Sequence, residues 1–186
     1  MGFVIQEYTL NIRLAQASDE PGLLQLIAGF RLSLAQVRGK ERPLDLAAAG
    51  EELAEYQVRN FPIYVAENDA ASLAGYLVCR VDGDVVWAES LYVAPQYRWQ
   101  GVGSALYAQA ERLALELGRD TPYNWVDPHN DKIIHFLQKR GYNVLNLIEL
   151  RRPRPGEETM QKIRVGAYEF DTATDRIDST ILHDPT

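Results

Sequence analysis

The stretch that decides the fold runs Leu91-Tyr92-Val93-Ala94-Pro95-Gln96-Tyr97-Arg98-Trp99-Gln100-Gly101-Val102-Gly103-Ser104. Val85 to Val93 is rich in β-branched and aromatic residues and reads as a strand. Gly103 to Leu117 puts Leu106, Ala110, Leu113 and Leu117 on one helical stripe, with Gly118 as its stop. The segment is therefore a strand, a proline-marked break, a glycine-bearing turn and a helix. Consecutive N–H groups at such a turn have no intrahelical acceptor, the helix dipole adds positive charge, and glycines at 101 and 103 allow close approach. A pyrophosphate fits that description; the plainer alternative is that two glycines merely make a tight connection. A Rossmann-type site is excluded because the full G-x-G-x-x-G would need glycine where Leu106 stands.

Working outward, Ile63 to Glu67, Leu73 to Val81 and Val85 to Val93 form an antiparallel meander, with Asp82-Gly83-Asp84 turning the last two strands. Asn11 to Ala15 precedes it as a first strand. A helix follows, N-capped at Ser18 and carrying Leu23, Leu26, Ile27, Phe30 and Leu34 at helical spacing. Leu46 to Arg59 is a second helix whose Glu51, Glu52 and Glu55 read as a solvated acidic face. Beyond the central helix, a strand at Tyr123 to Val126, a helix at Asn130 to Arg140 stopped by Gly141, and a strand at Val144 to Arg151 complete the order β α α β β β α β α β. The expected division is a domain over 11–152 and an extension over 153–186, with one strand at Ile163 to Phe170 and an acidic tail from 171.

The 186 residues suit one globular domain, and 46% hydrophobic with 24% charged residues excludes collagen-like, coiled-coil and disordered classes. A net charge of −7 argues against coating nucleic acid or an anionic membrane. Cys79 is the only cysteine, so neither an intrachain disulfide nor a multi-cysteine metal site can form. The opening MGFVIQEYTL has no basic region followed by a long apolar run, and no apolar run approaches the roughly 18 residues of a membrane span. A cytoplasmic protein is expected.

Arg98-x-x-Gly101-x-Gly103, preceded by Leu91 to Pro95 and followed by Asn130 and by Phe136-Leu137-Gln138-Lys139-Arg140-Gly141-Tyr142, resembles the motifs of the GNAT superfamily of acyl-CoA-dependent N-acyltransferases. The resemblance spans roughly 11 to 152. It implies an α/β (α+β) fold with a mixed, mostly antiparallel sheet flanked by helices and splayed between the fourth and fifth strands. It also implies acetyl-CoA as acyl donor. The amides of Arg98, Trp99, Gln100, Gly101, Val102, Gly103 and Ser104 would hold the pyrophosphate, Leu91 and Val93 would pair with the pantetheine arm as an added strand does, and Asn130 would meet the arm, unless it serves only as a helix N-cap.

An amine acceptor with a pKa near 10.4 is almost wholly protonated at neutral pH and must lose a proton to attack. Glu89, lying in an otherwise apolar strand, is the candidate base, acting directly or through water; its alternative is a solvated or ion-paired surface acid. The family often places a tyrosine acid where this chain has Leu137, and Tyr142 is read as packing instead. Trp87, Trp125 and Tyr64 would line an acceptor cleft or join the core. His129 and His135 fall on different helical faces, and no metal is expected. The expected activity is transfer of an acetyl group to a primary amine of a small molecule, peptide or protein, with a non-catalytic acyl-CoA-binding module as the alternative. A homodimer in which 156–186 reach across to the second subunit is also expected.

Overall fold

The structure is a computed structural model that describes residues 10–68, 72–155 and 159–173. The chain divides into two compact units, Met1–Leu32 with Pro43–Trp125, and Ser33–Arg42 with Val126–Thr186. Among the described residues no helix is long and apolar enough to cross a membrane.

The first unit is built on a five-stranded sheet in the order β1 (Asn11–Leu14), β2 (Ile63–Glu67), β3 (Leu73–Asp82), β4 (Val85–Val93), β5 (Tyr123–Asn124). The first four strands are antiparallel and only β4–β5 is parallel. This is the mixed, mainly antiparallel α/β architecture that the sequence implies. Helices α1 (Glu20–Val37) and α2 (Leu46–Val58) cover one face, packing Leu23, Leu26, Ile27, Leu53 and Tyr56 against Val65, Tyr76 and Val78. Helix α3 (Val102–Glu116) covers the other, with Val102, Leu106, Ala110 and Ala114 against Ala66, Leu77, Cys79 and Val86. Period-two alternation along β2 and β3 thus feeds two separate cores, each buried side chain contributing about 1.5–3 kcal/mol.

Gly29 on α1 makes room. A Cβ there would lie 2.7 Å from the Tyr92 hydroxyl, so glycine sets how closely the helix approaches β4.

The second unit holds α4 (Asp131–Lys139) and a hairpin of β6 (Thr159–Val165) and β7 (Tyr168–Ala173). Three expectations are corrected here. Val144 to Arg151 is not a strand, and Val144, Leu145, Leu147, Ile148 and Leu150 are exposed; its apolar residues occur in pairs rather than in strict alternation. The single strand expected over 163–170 is two strands joined at Gly166, whose φ of 62° makes the turn. The fifth strand is shorter than 123–126, pairing only at Trp87↔Tyr123 and Ala88↔Asn124. The acidic tail beyond 173 and most of the cross-subunit arm lie outside the described residues.

The entry to α1 also differs from expectation. Instead of Ser18, Asp19 is the capping acid, accepting the Gln16 N–H at 2.7 Å at the start of a short 3-10 turn. Arg13 on β1 holds the same carboxylate with two bonds, 2.6 and 2.8 Å, and Glu67 on β2 with two more, 3.1 and 3.2 Å. That guanidinium holds the Asp19 carboxyl below its ordinary value. A depressed folded pKa contributes stability that is complete above the unfolded value of 3.8 and is lost as pH falls through the folded value. Chemical denaturation at pH 7 is expected to show Arg13→Ala destabilised by about 1.5–3 kcal/mol. Asp19→Asn should flatten the fall of stability with acidification below about pH 4.

Candidate active site

Strand β4 carries the decisive irregularity. Its register with β3 runs Val78↔Ser90 and then Cys79↔Ala88, so Glu89 is an extra residue in a β-bulge. The bulge reverses the alternation: Val86 belongs to the α3 core, as do Leu91 and Val93 beyond it, while Ser90 and Tyr92 turn to the α1/α2 face. Parallel pairing with β5 stops at Ala88, immediately before the bulge. From there to Val93 the edge of β4 facing away from β3 has no strand partner among the described residues. The Ala94 N–H bonds Ala74 O on β3, which makes 94 and 92 the bonded positions and aims the peptide groups of Leu91 and Val93 at the open edge.

The open edge leads into the turn singled out from the sequence. Pro95–Tyr97 form one 3-10 turn, Trp99 and Gly101 both take left-handed backbone, with φ of 65° and 83°, and α3 begins at Val102. The first i→i−4 bond of the helix is Ala105 N–H to Gly101 O at 3.0 Å. The amides of Val102, Gly103 and Ser104 precede it, and Gly101 at the N-cap has no side chain to take them. This donor set fits a pyrophosphate.

Several predicted residues have local tasks as well. Arg98 Nε donates to Val93 O at 2.9 Å, and its guanidinium lies 5.4 Å from the Tyr92 ring centroid, tying the turn back to β4. Gln100 Nε2 donates to Gln96 O. Trp99 is 93% exposed although its backbone is strained for a bulky residue. Asn130 lies in the second unit as the α4 N-cap, its Oδ1 accepting from the Ile133 N–H at 3.4 Å. Leu137 is buried on α4, so no hydroxyl stands at that position.

Glu89 stands on a cleft of about 310 Å³ in the first unit, whose wall also includes Arg31, Glu52, Tyr56, Phe61 and Trp125. Its carboxylate accepts from Arg80 Nε at 3.0 Å and its side chain is 31% exposed. The cleft was only partly legible beforehand. Trp125 lines it, whereas Tyr64 packs with the α3 core. Glu52, read from sequence as solvated, accepts from Arg31 Nε and from the Tyr56 hydroxyl, which lies 3.0 Å from Ser90 Oγ. Burial, then the hydrogen bond to Glu52, raises the Tyr56 phenol above its ordinary value. The missed signal was the spacing of Glu52 and Tyr56, one turn apart on α2, which sets the acid beside a buried phenol. Burial pushes the Cys79 thiol up to about 12, which removes it as a nucleophile. Among the described residues no group of three or more His, Cys, Asp or Glu could hold a metal ion.

An open strand edge running into an uncapped, glycine-led helix N-terminus on a mixed sheet is the arrangement that the resemblance to the GNAT superfamily implies. The Acetyltransferase (GNAT) family matches residues 33–142, more than half of the chain, and the protein belongs to that family. No curated protein matches it in sequence. In structure it is similar to the aminoglycoside N-acetyltransferase AAC(6')-Iy in complex with CoA, at 19% identity and a TM-score of 0.58 over 82% of this chain and 99% of that one. It is similar to a Trypanosoma brucei acetyltransferase, at 18% identity and a TM-score of 0.58 over 78% and 100% of the two chains. It also resembles an aminoglycoside acetyltransferase from an uncultured soil metagenomic sample, at 19% and a TM-score of 0.57 over 78% and 96%. At these identities the likeness is one of fold.

Two substitutions separate strain from binding in the turn. Trp99→Gly removes the left-handed penalty on a large residue and should raise stability by up to about 1 kcal/mol in thermal unfolding. Gly103→Val puts a branched side chain among the free amides. Calorimetry should find acetyl-CoA binding lost while circular dichroism is unchanged, and an unaltered affinity would remove the pyrophosphate from this turn.

Proposed function

We propose that the protein is an N-acetyltransferase that moves the acetyl group of acetyl-CoA to a primary amine by direct attack within a ternary complex. The observation that carries this reading is the continuity of the open β4 edge with the free amides of α3, which suits an extended arm ending in a pyrophosphate. Bound acetyl-CoA supplies an activated thioester. The Arg98 N–H is taken by Pro95 O, so the amides of Trp99 to Ser104, rather than of Arg98 to Ser104, hold its pyrophosphate and the peptide groups of Leu91 and Val93 align its arm. Arg98 keeps the turn in register through Val93 O. The high pKa of buried Cys79 supports direct transfer over an enzyme-bound acyl group.

Glu89 receives the proton of the attacking amine, directly or through water. Its place two residues before Leu91, on the cleft wall, supports this role. Because the bulge frees it from the strand alternation, its carboxylate serves the cleft rather than a core. The absence of a hydroxyl at Leu137 favours the second reading, an acyl-CoA-binding module without turnover. A thiol-release assay over a panel of amines distinguishes the two.

If Glu89 is the base, Glu89→Gln keeps acetyl-CoA affinity and lowers kcat near neutral pH by about 10²- to 10⁴-fold. The variant should recover as pH rises, because a more basic solution supplies the free amine unaided, and the wild type should gain less over the same range. Wild-type turnover by the variant at pH 7 with a high-pKa amine would place the base elsewhere.

A further inference from the structure

The cleft in front of Glu89 has an unusual balance of charge. The chain carries a net charge of −7, yet this cleft is lined by three arginines and three glutamates, already matched in pairs. Arg31 pairs with Glu52, Arg59 with Glu55 at 2.8 Å, and Arg80 with Glu89 at 3.0 Å. Tyr56, Phe61 and Trp125 supply apolar surface between them.

Paired charges constrain what can enter. A lone ammonium that draws Glu89 to itself takes from the largely buried Arg80 its nearer carboxylate and leaves the guanidinium only the exposed Asp82, 3.7 Å away. A polycation meets three guanidiniums, and a simple anion meets three carboxylates. A molecule carrying both charges close together exchanges partners with both members of one pair and leaves no charge bare.

Arg80 is prepared for that exchange. Its guanidinium lies 4.8 Å from the Trp87 ring centroid and 5.2 Å from that of Trp125, so its plane is fixed by two indoles. Nε donates to Glu89, while Nη2 is buried with no hydrogen-bond partner. Nε and Nη2 form one edge of the fork that binds a carboxylate with two parallel bonds. As the incoming amine takes Glu89, that edge becomes complete for a carboxylate.

We infer that the acceptor is a small zwitterion, an α-amino acid, whose amine meets Glu89, whose carboxylate meets the Nε–Nη2 edge of Arg80, and whose side chain lies against Tyr56, Phe61 and Trp125. A cleft of about 310 Å³ suits a ligand of that size. The inference rests on the proposed N-acetyl transfer and names its substrate class. In the reaction the ammonium gives one proton to Glu89, its nitrogen bonds the acetyl carbon, the carbon–sulfur bond breaks, and the second proton shed by the nitrogen goes to the leaving sulfur, so that CoA departs as the thiol.

The test uses the full chain with acetyl-CoA in a thiol-release assay. Acceptors are the twenty amino acids, the decarboxylated amine matching each active one, spermidine and kanamycin. The expected result is turnover of at least one amino acid with kcat/KM about 10²-fold above its decarboxylated amine, the loss that follows from an unpaired charge. Arg80→Gln should raise KM for that amino acid toward the value of the decarboxylated amine, leaving acetyl-CoA affinity unchanged, and Arg80→Lys should restore part of the discrimination. Calorimetry of the amino acids against the CoA-bound protein reads the site without chemistry. Amino-acid binding without turnover supports the zwitterion site while overturning the transferase reading. Preferred turnover of spermidine, kanamycin or a carboxylate-free amine overturns the zwitterion site while leaving acetyl transfer intact. An absence of both amino-acid binding and amino-acid turnover also overturns it, whether or not Arg80→Gln folds.

Discussion

One extra residue in β4 organises this molecule. At Glu89 the ladder with β3 slips by a residue, and just before it the pairing with β5 ends. A period-two strand that gains one residue exchanges its faces, so the half of β4 after the bulge sends Leu91 and Val93 to the α3 core and Ser90 and Tyr92 to the other. The same slip releases Glu89 from both cores. The acid, the open strand edge and the approach to the turn before α3 therefore share one backbone origin, and none can be moved along the strand without the others.

The α1/α2 face is where that irregularity meets its support. Tyr92 after the bulge faces Gly29 on α1, where a side chain would collide with its hydroxyl. Ser90 joins Tyr56 and through it Glu52 and Arg31, a polar chain lying across an otherwise apolar layer. Buried polar groups are costly unless each finds a partner, and these find one another. The network fixes α2 against the strand that carries the site, so the residues that hold the fold in this region also line the cleft. Arg80, lying over the Trp87 and Trp125 rings, does the same from the β3 side.

The turn between β4 and α3 shows a second use of irregular backbone. Two left-handed positions two residues apart, one of them the bulky Trp99, precede the free amides of Val102 to Ser104. Arg98 and Gln100 spend hydrogen bonds on the turn itself. A donor set that must be ready before an anion arrives needs such internal ties, because amides on a loose loop would pay ordering entropy at binding.

The meander, the three helices of the first unit and the glycine-bearing turn were legible in the sequence because each rests on local periodicity, on proline or on glycine. Arg98, Gly101 and Gly103 stand in one short motif, and the strand before and helix after it are read within a dozen residues. The region after Gly141 misled for the same reason: Val144 to Leu150 has apolar content, but a strand also needs a neighbour, and the hairpin formed further on, where Gly166 permits the turn. The charge pairing of the cleft was invisible. Arg31 with Glu52 and Arg80 with Glu89 join residues 21 and 9 apart in the chain, on different elements. The bulge escaped for a related reason, since a slip is a relation between two strands. Local composition determined which elements form and where the free amides at the start of α3 stand; only the packing of α2, β3 and β4 decided that Glu52 is half-buried, that Glu89 leaves the alternation, and that Arg80 stands beside it with a donor to spare.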